Sequence, residues 1–251
     1  MFKQMSSTAL YTDLSRYYDL MCADINYSEQ SEYVRRVNQI FGNGGKRYLD
    51  LGCGTGPHVR HFLDFGFECS GLDIHAPMLD IAQQRNPEAH FFQGDMSSFT
   101  VAEPLDLITT FLYSIHYNLN IAKLAECIAS VHAALSVGGI FCFNAVDKSA
   151  ITNKGGVRHS VAHEGSEFIF SSSWYYAGQG DEQQLRVRIE KTTAGSTEIW
   201  QDEHQMVAVS FPFLRELLER FFEVHVFEHI YDCIEPWAGS SGNAIFVCVK
   251  T

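Results

Sequence analysis

Four residues at alternate positions, Asp50, Gly52, Gly54 and Gly56, stand between an apolar stretch (Tyr48, Leu49, Leu51) and Pro57. Glycine has no Cβ, so a glycine at every second position lets the backbone turn sharply and approach a ligand closely. The apolar residues suit a strand covered on both faces, and proline suits the first position of a helix, where its missing N–H has no partner to lose. The stretch therefore reads as strand, glycine turn and helix His58 to Phe65. Asp50 falls at the strand end, in the crevice where open parallel sheets bind ligands. A dinucleotide fingerprint would be Gly-x-Gly-x-x-Gly, but counted from Gly52 its last glycine is Pro57. An acid at the strand end also suits a cationic ligand better than a pyrophosphate.

Two more acids follow at similar junctions. Phe67 to Asp73 reads as a second strand ending Gly71-Leu72-Asp73, and Asp73 lies at the separation expected of a ribose-binding acid in a βαβ unit. His90 to Gln93 reads as a third strand leading into Gly94-Asp95-Met96. These three motifs, in this order and spacing, resemble those of the class I S-adenosylmethionine-dependent methyltransferases. The resemblance implies a cofactor site for S-adenosylmethionine. Asp73 would take both ribose hydroxyls, Asp95 the exocyclic amine of adenine, and Met96 would offer its backbone N–H to the ring. By the same resemblance Met78 covers one side of the adenine, with plain packing as the equal alternative. The implied cofactor set is Asp50, Gly52, Cys53, Gly54, Gly56, Asp73, Ile74, Met78, Asp95, Met96, Phe111 and Leu112. Tyr18, followed by Asp19, resembles a tyrosine on an N-terminal helix that closes over the cofactor in small-molecule members, and Tyr27 would reach its methionine end.

The residues after the fourth strand, Asp106 to Phe111, bear on the acceptor. They read Leu112-Tyr113-Ser114-Ile115-His116-Tyr117-Asn118. Family members acting on amides carry an Asn/Asp-Pro-Pro-aromatic turn here, which is missing. No Pro-Cys nucleophile occurs anywhere, and Thr109, Thr110 and Phe111 stand where metal-dependent members hold an aspartate. What remains resembles the Ser-x-x-His/Tyr pattern of small-molecule N-methyltransferases acting on amino sugars carried by nucleotides, or on glycine and sarcosine. His116 is then the candidate base, because imidazole titrates near neutrality, and Tyr113, Tyr117 and Tyr18 are candidates to position the acceptor. A packed histidine at a helix entry is the competing reading. An O-methyltransferase, or a cofactor-binding module without transfer activity, are the alternatives to an amine methyltransferase.

The elements that must position these residues follow from periodicity. Leu10 to Met21 is expected as one amphipathic helix, and Ser28 to Phe41 as a second, capped by Ser28 and burying Tyr33, Val34, Val37, Ile40 and Phe41. Helices are also expected from Pro77 to Arg85, with Met78, Leu79 and Ile81 inward, from Ile121 to Leu135, and from Phe211 to Phe221 with Phe213 inward. A fifth strand, Ile140 to Ala145, precedes a change of character. Across 147–210, alternation at Phe168, Phe170, Ser172, Trp174 and Tyr176, and at Leu185, Val187 and Ile189, predicts antiparallel strands with one wet face. Such an insertion resembles the β-rich cap of amino-sugar members, where it shapes the acceptor pocket or makes a homodimer contact. Phe222 to Tyr231 and Ala244 to Lys250 supply a closing hairpin. The expected fold is α/β, a Rossmann-like sheet of seven mostly parallel strands with helices on both faces. Residues 1–146 and 211–251 form the methyltransferase domain and 147–210 an antiparallel insertion.

Thirty acidic against eighteen basic residues give a formal charge of −12, which disfavours a broad grip on nucleic acid or an anionic membrane. No run of apolar residues approaches membrane-spanning length and the first ten residues lack a signal-like apolar core, so a cytoplasmic location is expected. The seven cysteines include no Cys-x-x-Cys pair and read as reduced thiols, and no histidine pair has a third ligand, so no metal is expected. If the acceptor were a nucleotide sugar, Lys154, Arg158, Arg186 and Arg188 are the basic residues of the insertion that could meet its phosphates.

Overall fold

Alternating burial along the strands builds a sheet with a core on each face. The computed structural model describes residues 9–251 and the backbone of residues 2–4. Seven strands lie in the order β11-β12-β6-β5-β2-β3-β4. They are β2 (Arg47–Leu51), β3 (Glu68–Asp73), β4 (His90–Gln93), β5 (Leu105–Thr110), β6 (Leu135–Val146), β11 (Glu223–Glu228) and β12 (Asn243–Val249). Strands β4, β3, β2, β5 and β6 are parallel, while β12 runs antiparallel to both β6 and β11. The chain moves from β2 outward to β4 and then returns to the far side of β2 with β5. The crevice between the carboxyl ends of β2 and β5 is therefore the topological switch point, where open α/β sheets bind ligands.

Successive residues on each strand point to opposite faces. Phe141 and Phe143 join Leu49, Ile108 and Phe246 in one core, under α5 (Ile121–Ala134) and α6 (Phe211–Leu218). Cys142 joins Tyr48, Leu107 and Val247 in the other, under α2 (Tyr27–Phe41), α3 (Pro57–Asp64) and α4 (Ala76–Arg85). Full burial of one such phenylalanine is worth about 1.5–3 kcal/mol.

A second sheet, ordered β1-β10-β9-β8-β7, comprises β7 (Val157–His163), β8 (Ser166–Tyr176), β9 (Glu182–Thr193) and β10 (Ser196–Val207), with the short β1 (Phe2–Gln4) parallel to β10. Its inner face, Phe168, Phe170, Val187 and Ile189, packs on Leu10, Leu14 and Tyr17. The turns fall at Glu164-Gly165 and Ala194-Gly195, with both residues of each turn left-handed.

Several expected details differ. Leu10 to Met21 is not one helix but two 3-10 turns, Ala9–Tyr11 and Ser15–Tyr17, followed by a single α turn, α1 (Tyr18–Met21). The predicted apolar face exists, and Leu10, Leu14 and Tyr17 pack on Phe168, Phe170, Val187 and Ile189 of the second sheet. Helix α2 is capped by Asn26, which accepts the Glu29 N–H, and not by Ser28. Ile40 lies exposed near its end. Phe213 is also exposed, because α6 stops at Leu218 and turns Leu214 and Leu217 inward instead. Ile81 is half-buried. Five of the seven cysteines are buried and all are free. Among the described residues no helix is long and apolar enough to cross a membrane, and no three potential metal ligands cluster.

Candidate active site

The glycine turn after β2 is tied to the end of β3. Gly52 and Cys53 both donate their N–H to Leu72 O, at 2.7 and 3.0 Å. Gly54, at φ 54°, points its own N–H at Asp73 Oδ2 (3.0 Å), and His75 N–H reaches Asp73 Oδ1 (2.9 Å). Each carboxylate oxygen thus accepts one backbone donor. An ionised carboxylate has about four acceptor positions, which leaves one per oxygen for a vicinal diol. Burial pushes the Asp73 pKa up, and these backbone N–H groups pull it back.

Asp73 forms part of the wall of a cavity of about 300 Å³. Tyr18, Gly52, Gly54, Ile74, Met78, Asp95, Met96, Leu112 and Tyr117 line it as well. A small adjoining recess is lined by Tyr27, Asp50, Cys53 and Phe111, with Tyr18, Gly52 and Leu112 shared. Gly56 lines neither space. It is the N-cap of α3, and Asn86 Nδ2 donates to its carbonyl (3.0 Å) and lies 2.7 Å from where a Cβ would stand. Leu112 and Tyr113 both take left-handed backbone, with φ of 52° and 63°, a conformation that costs a non-glycine residue about 1–2 kcal/mol. The strained pair folds the chain after β5 back over the glycine turn.

Asp50 is 2% exposed, accepts the Thr109 hydroxyl at 2.9 Å, and is pushed by burial up to about 7. His58 Nδ1 lies 3.8 Å from its carboxylate, an ion-pair distance. The pair is nevertheless not ionic. Burial drives His58 down to about 3, and its Nε2–H donates to Gln30 Oε1 at 2.9 Å. A cation entering the recess would therefore find an acid ready to ionise.

The two other residues expected at the chemistry lie elsewhere. His116 is 1% exposed, outside both spaces, and held at both ring nitrogens. Val146 N–H can only donate, so Nε2 accepts it (3.1 Å) and the ring proton sits on Nδ1, which donates to Val207 O (2.9 Å) with the Gln183 side-chain amide also 3.0 Å away. Burial lowers its pKa to about 4. With both ring nitrogens engaged and the ring outside the lining of the cavity, this imidazole ties β6 to β10 and does not stand where a base was expected. Tyr113 also turns away, its hydroxyl donating to Asn243 Oδ1 at 3.1 Å and its ring edge-on to Trp174. Tyr117 alone of the three faces the cavity.

Behind Tyr117 stands a polar chain that the sequence reading missed. Tyr117 Oη lies 2.5 Å from Tyr11 Oη and 2.6 Å from His204 Nδ1, and His204 Nε2 lies 3.1 Å from Asp202 Oδ2. Asp202 and His204 are two apart on β10, so they share its buried face with Met206. Their signal was an acid and an imidazole at inward positions of an alternating strand. Tyr11 also lines the cavity, stacked on His75.

The N-terminal segment is fastened over the glycine turn by charge. Asp19 pairs with Arg85 of α4 and accepts the Thr55 hydroxyl (2.6 Å), while Arg85 donates to Thr55 O at 2.9 Å. Arg186 and Arg188 alternate with the inward Val187 and Ile189 and so lie on the outer face of the second sheet, paired with Glu203 and Glu190. Lys154 and Arg158 are exposed and line no part of the cavity. Among the described residues Lys123, itself paired with Glu126, is the one lysine or arginine on its wall.

A methyltransferase domain model matches residues 49–139. The dTDP-3-amino-3,4,6-trideoxy-alpha-D-glucopyranose N,N-dimethyltransferase of Streptomyces venezuelae is 34% identical over 93 residues, 37% of this chain and 39% of that protein. The chain spans about half the length, or less, of the curated relatives it matches. Among solved structures, Streptomyces venezuelae DesVI superposes with a TM-score of 0.82 at 21% identity, covering 96% of this chain and 99% of that one. CalS10, an amino pentose methyltransferase from Micromonospora echinaspora solved with SAM bound, gives 0.77 at 19% identity over 91% and 93%.

Proposed function

We propose that this chain, which carries the class I S-adenosylmethionine-dependent methyltransferase fold and that family's domain over residues 49–139, methylates the nitrogen of a small-molecule amine. The observation that carries the reading is the Asp73 carboxylate, fixed by Gly54 and His75, on the wall of a cavity that Tyr11, Tyr18 and Tyr117 also line. The donor set fits S-adenosylmethionine. Asp73 suits the ribose diol, Met78 and Met96 are apolar walls for a flat base with Asp95 beside them, and Asp50 suits the ammonium and sulfonium end.

When bound, that cofactor supplies a methyl group on a sulfonium, so an N–C bond forms as the C–S bond breaks and its electron pair stays on sulfur. The chain's own task is to hold the acceptor in line and exclude water. Tyr18 and Tyr11, carried by the segment that Asp19 and Arg85 fasten down, form one side of the cavity. Tyr117 presents a hydroxyl to an incoming amine.

The Streptomyces venezuelae relative is an N,N-dimethyltransferase of an amino sugar, which favours nitrogen over oxygen as the acceptor atom. A nucleotide-linked acceptor is not favoured. Among the described residues the paired Lys123 is the one lysine or arginine on the cavity wall, and Arg186 and Arg188 of the second sheet face outward. Transfer of tritiated methyl from S-adenosylmethionine to glycine, sarcosine, ethanolamine, D-glucosamine and dTDP-3-amino-3,4,6-trideoxy-α-D-glucopyranose tests the reading. Label should enter one of these amines, a phosphate-free one faster than the dTDP sugar. Transfer to none of them by protein that binds the cofactor would remove the amine assignment.

A further inference from the structure

Tyr117, His204 and Asp202 form a chain for which cofactor binding offers no use. Tyr117 Oη is on the cavity wall, His204 is 3% exposed directly behind it, and Asp202 backs His204 from the same strand. Tyr11 Oη also lies 3.4 Å from His204 Nδ1, and the order of donors that uses the shorter contact to the ring runs through Tyr117. Tyr11 donates to Tyr117 Oη, Tyr117 donates to His204 Nδ1, and the remaining ring proton on Nε2 faces the Asp202 carboxylate. Nδ1 then turns its lone pair to Tyr117, whose hydroxyl stands between the ring and the cavity.

We propose that Tyr117, His204 and Asp202 are a proton relay that removes the proton an amine acceptor must lose before it can attack. The inference rests on the amine reading above. An amine arrives largely as ammonium at neutral pH, with no lone pair to share. Its N–H bond breaks and the proton joins Tyr117 Oη as the proton of Tyr117 passes to His204 Nδ1. The tyrosine is unchanged, the ammonium has become an amine, and the imidazole has become an imidazolium beside Asp202. The proton returns to water by the same path when the product leaves. Tyr117 is the catalytic residue of this chain, because it touches the acceptor; His204 and Asp202 act through it.

Two observations separate this from a packing role. On the inner face of β10, Asp202 and His204 are buried opposite Val187 and Leu185, so an acid and an imidazole there are desolvated, and both Asp202 oxygens and His204 Nε2 lack a well-aligned hydrogen bond among the described residues. Burial also raises the hydroxyls of Tyr11 and Tyr117, so neither tyrosine could serve as a base unaided. The groups facing the relay are Tyr11 and Cys22 from the N-terminal segment, Asp73 and His75 from the end of β3 and the start of α4, and Asp202 itself.

The test uses the intact protein in two ways. In the free wild type, ¹⁵N shifts of the His204 ring should show Nδ1 as the unprotonated, accepting nitrogen and Nε2 as the protonated one; the opposite tautomer at neutral pH overturns the proposal. With whichever of the five amines above is methylated fastest, Tyr117→Phe and His204→Asn should each lower kcat about 100-fold at pH 7, and Asp202→Asn about 10-fold. S-adenosylhomocysteine affinity should stay within about three-fold, which shows that each variant is folded. The loss should shrink as the pH rises above the pKa of the amine, where no proton needs removing. Losses that do not change with pH, or a His204→Asn enzyme with normal kcat, contradict the relay. Failure of the amine reading shows differently, as no transfer to any of the five by wild type, and the nitrogen shifts then decide alone.

Discussion

The backbone N–H of Gly54 donates to the carboxylate of Asp73 at 3.0 Å. This bond joins the turn after β2 to the end of β3 and fixes which face of the carboxylate looks into the cavity. It exists because Gly54 takes φ 54°, where an L side chain is disfavoured. A Cβ there would meet only ordinary contacts, Met78 Cε at 3.5 Å and Tyr18 Cε1 at 3.7 Å, so conformation and not crowding demands glycine.

Gly54→Ala should therefore cost about 1–2 kcal/mol of stability and swing the amide away from Asp73. Urea denaturation should show the loss, and S-adenosylhomocysteine should bind at least about ten-fold more weakly. Unchanged affinity in the folded variant would mean that the bond does not orient the acid.

His116 carries a prediction about pH. It stays neutral in the folded protein down to about 4, whereas an unfolded histidine takes up its proton near 6.5. Between those values the unfolded state binds more protons, so this group's contribution to stability is lost as pH falls, by about 1.4 kcal/mol per unit. His116→Ala leaves the Val146 N–H and the Val207 carbonyl unpaired and should cost about 2–4 kcal/mol at pH 7. Its stability should then fall less steeply between pH 6.5 and 4.5 than that of the wild type. His58, with the same sign, and Asp50, with the opposite sign, cancel in that comparison. Parallel pH dependences would show that His116 is not the buried neutral tie described above.

The Asp19–Arg85–Thr55 link should govern cover rather than chemistry. Both charged groups are about a third exposed, and an exposed pair is worth about 0–1 kcal/mol, so Asp19→Ala should scarcely move the melting temperature. Its effect should appear as faster S-adenosylhomocysteine release in stopped-flow measurements and earlier proteolytic cleavage before Tyr27. Identical release rates would show that the segment stays closed without this link.

The sheet and the cofactor motifs were legible because both are local. Tyr48 to Gly56 announces a strand, a turn and a helix within ten residues, Asp73 follows as the last residue of β3, where side-chain direction is set by the backbone, and Asp95 lies two residues beyond β4. The acceptor side was not legible. Whether His116 or Tyr117 faces the cavity depends on the left-handed pair Leu112 and Tyr113, and nothing in a leucine or a tyrosine predicts positive φ. His204 is 87 residues beyond Tyr117, and its role depends on how the second sheet packs against the first. The same packing turned the N-terminal segment from one helix into tight turns, since Leu10, Leu14 and Tyr17 answer to β8 and β9 rather than to their own periodicity.

The central claim is a cofactor site organised by Asp73, and calorimetric titration with S-adenosylhomocysteine tests it most directly. Wild-type protein should bind with micromolar affinity. Removing two hydrogen bonds to a charged acceptor costs about 3 kcal/mol or more, so Asp73→Ala should bind about 100-fold more weakly or not detectably. Equal affinity for the two proteins, both shown to be folded by circular dichroism, would contradict the site.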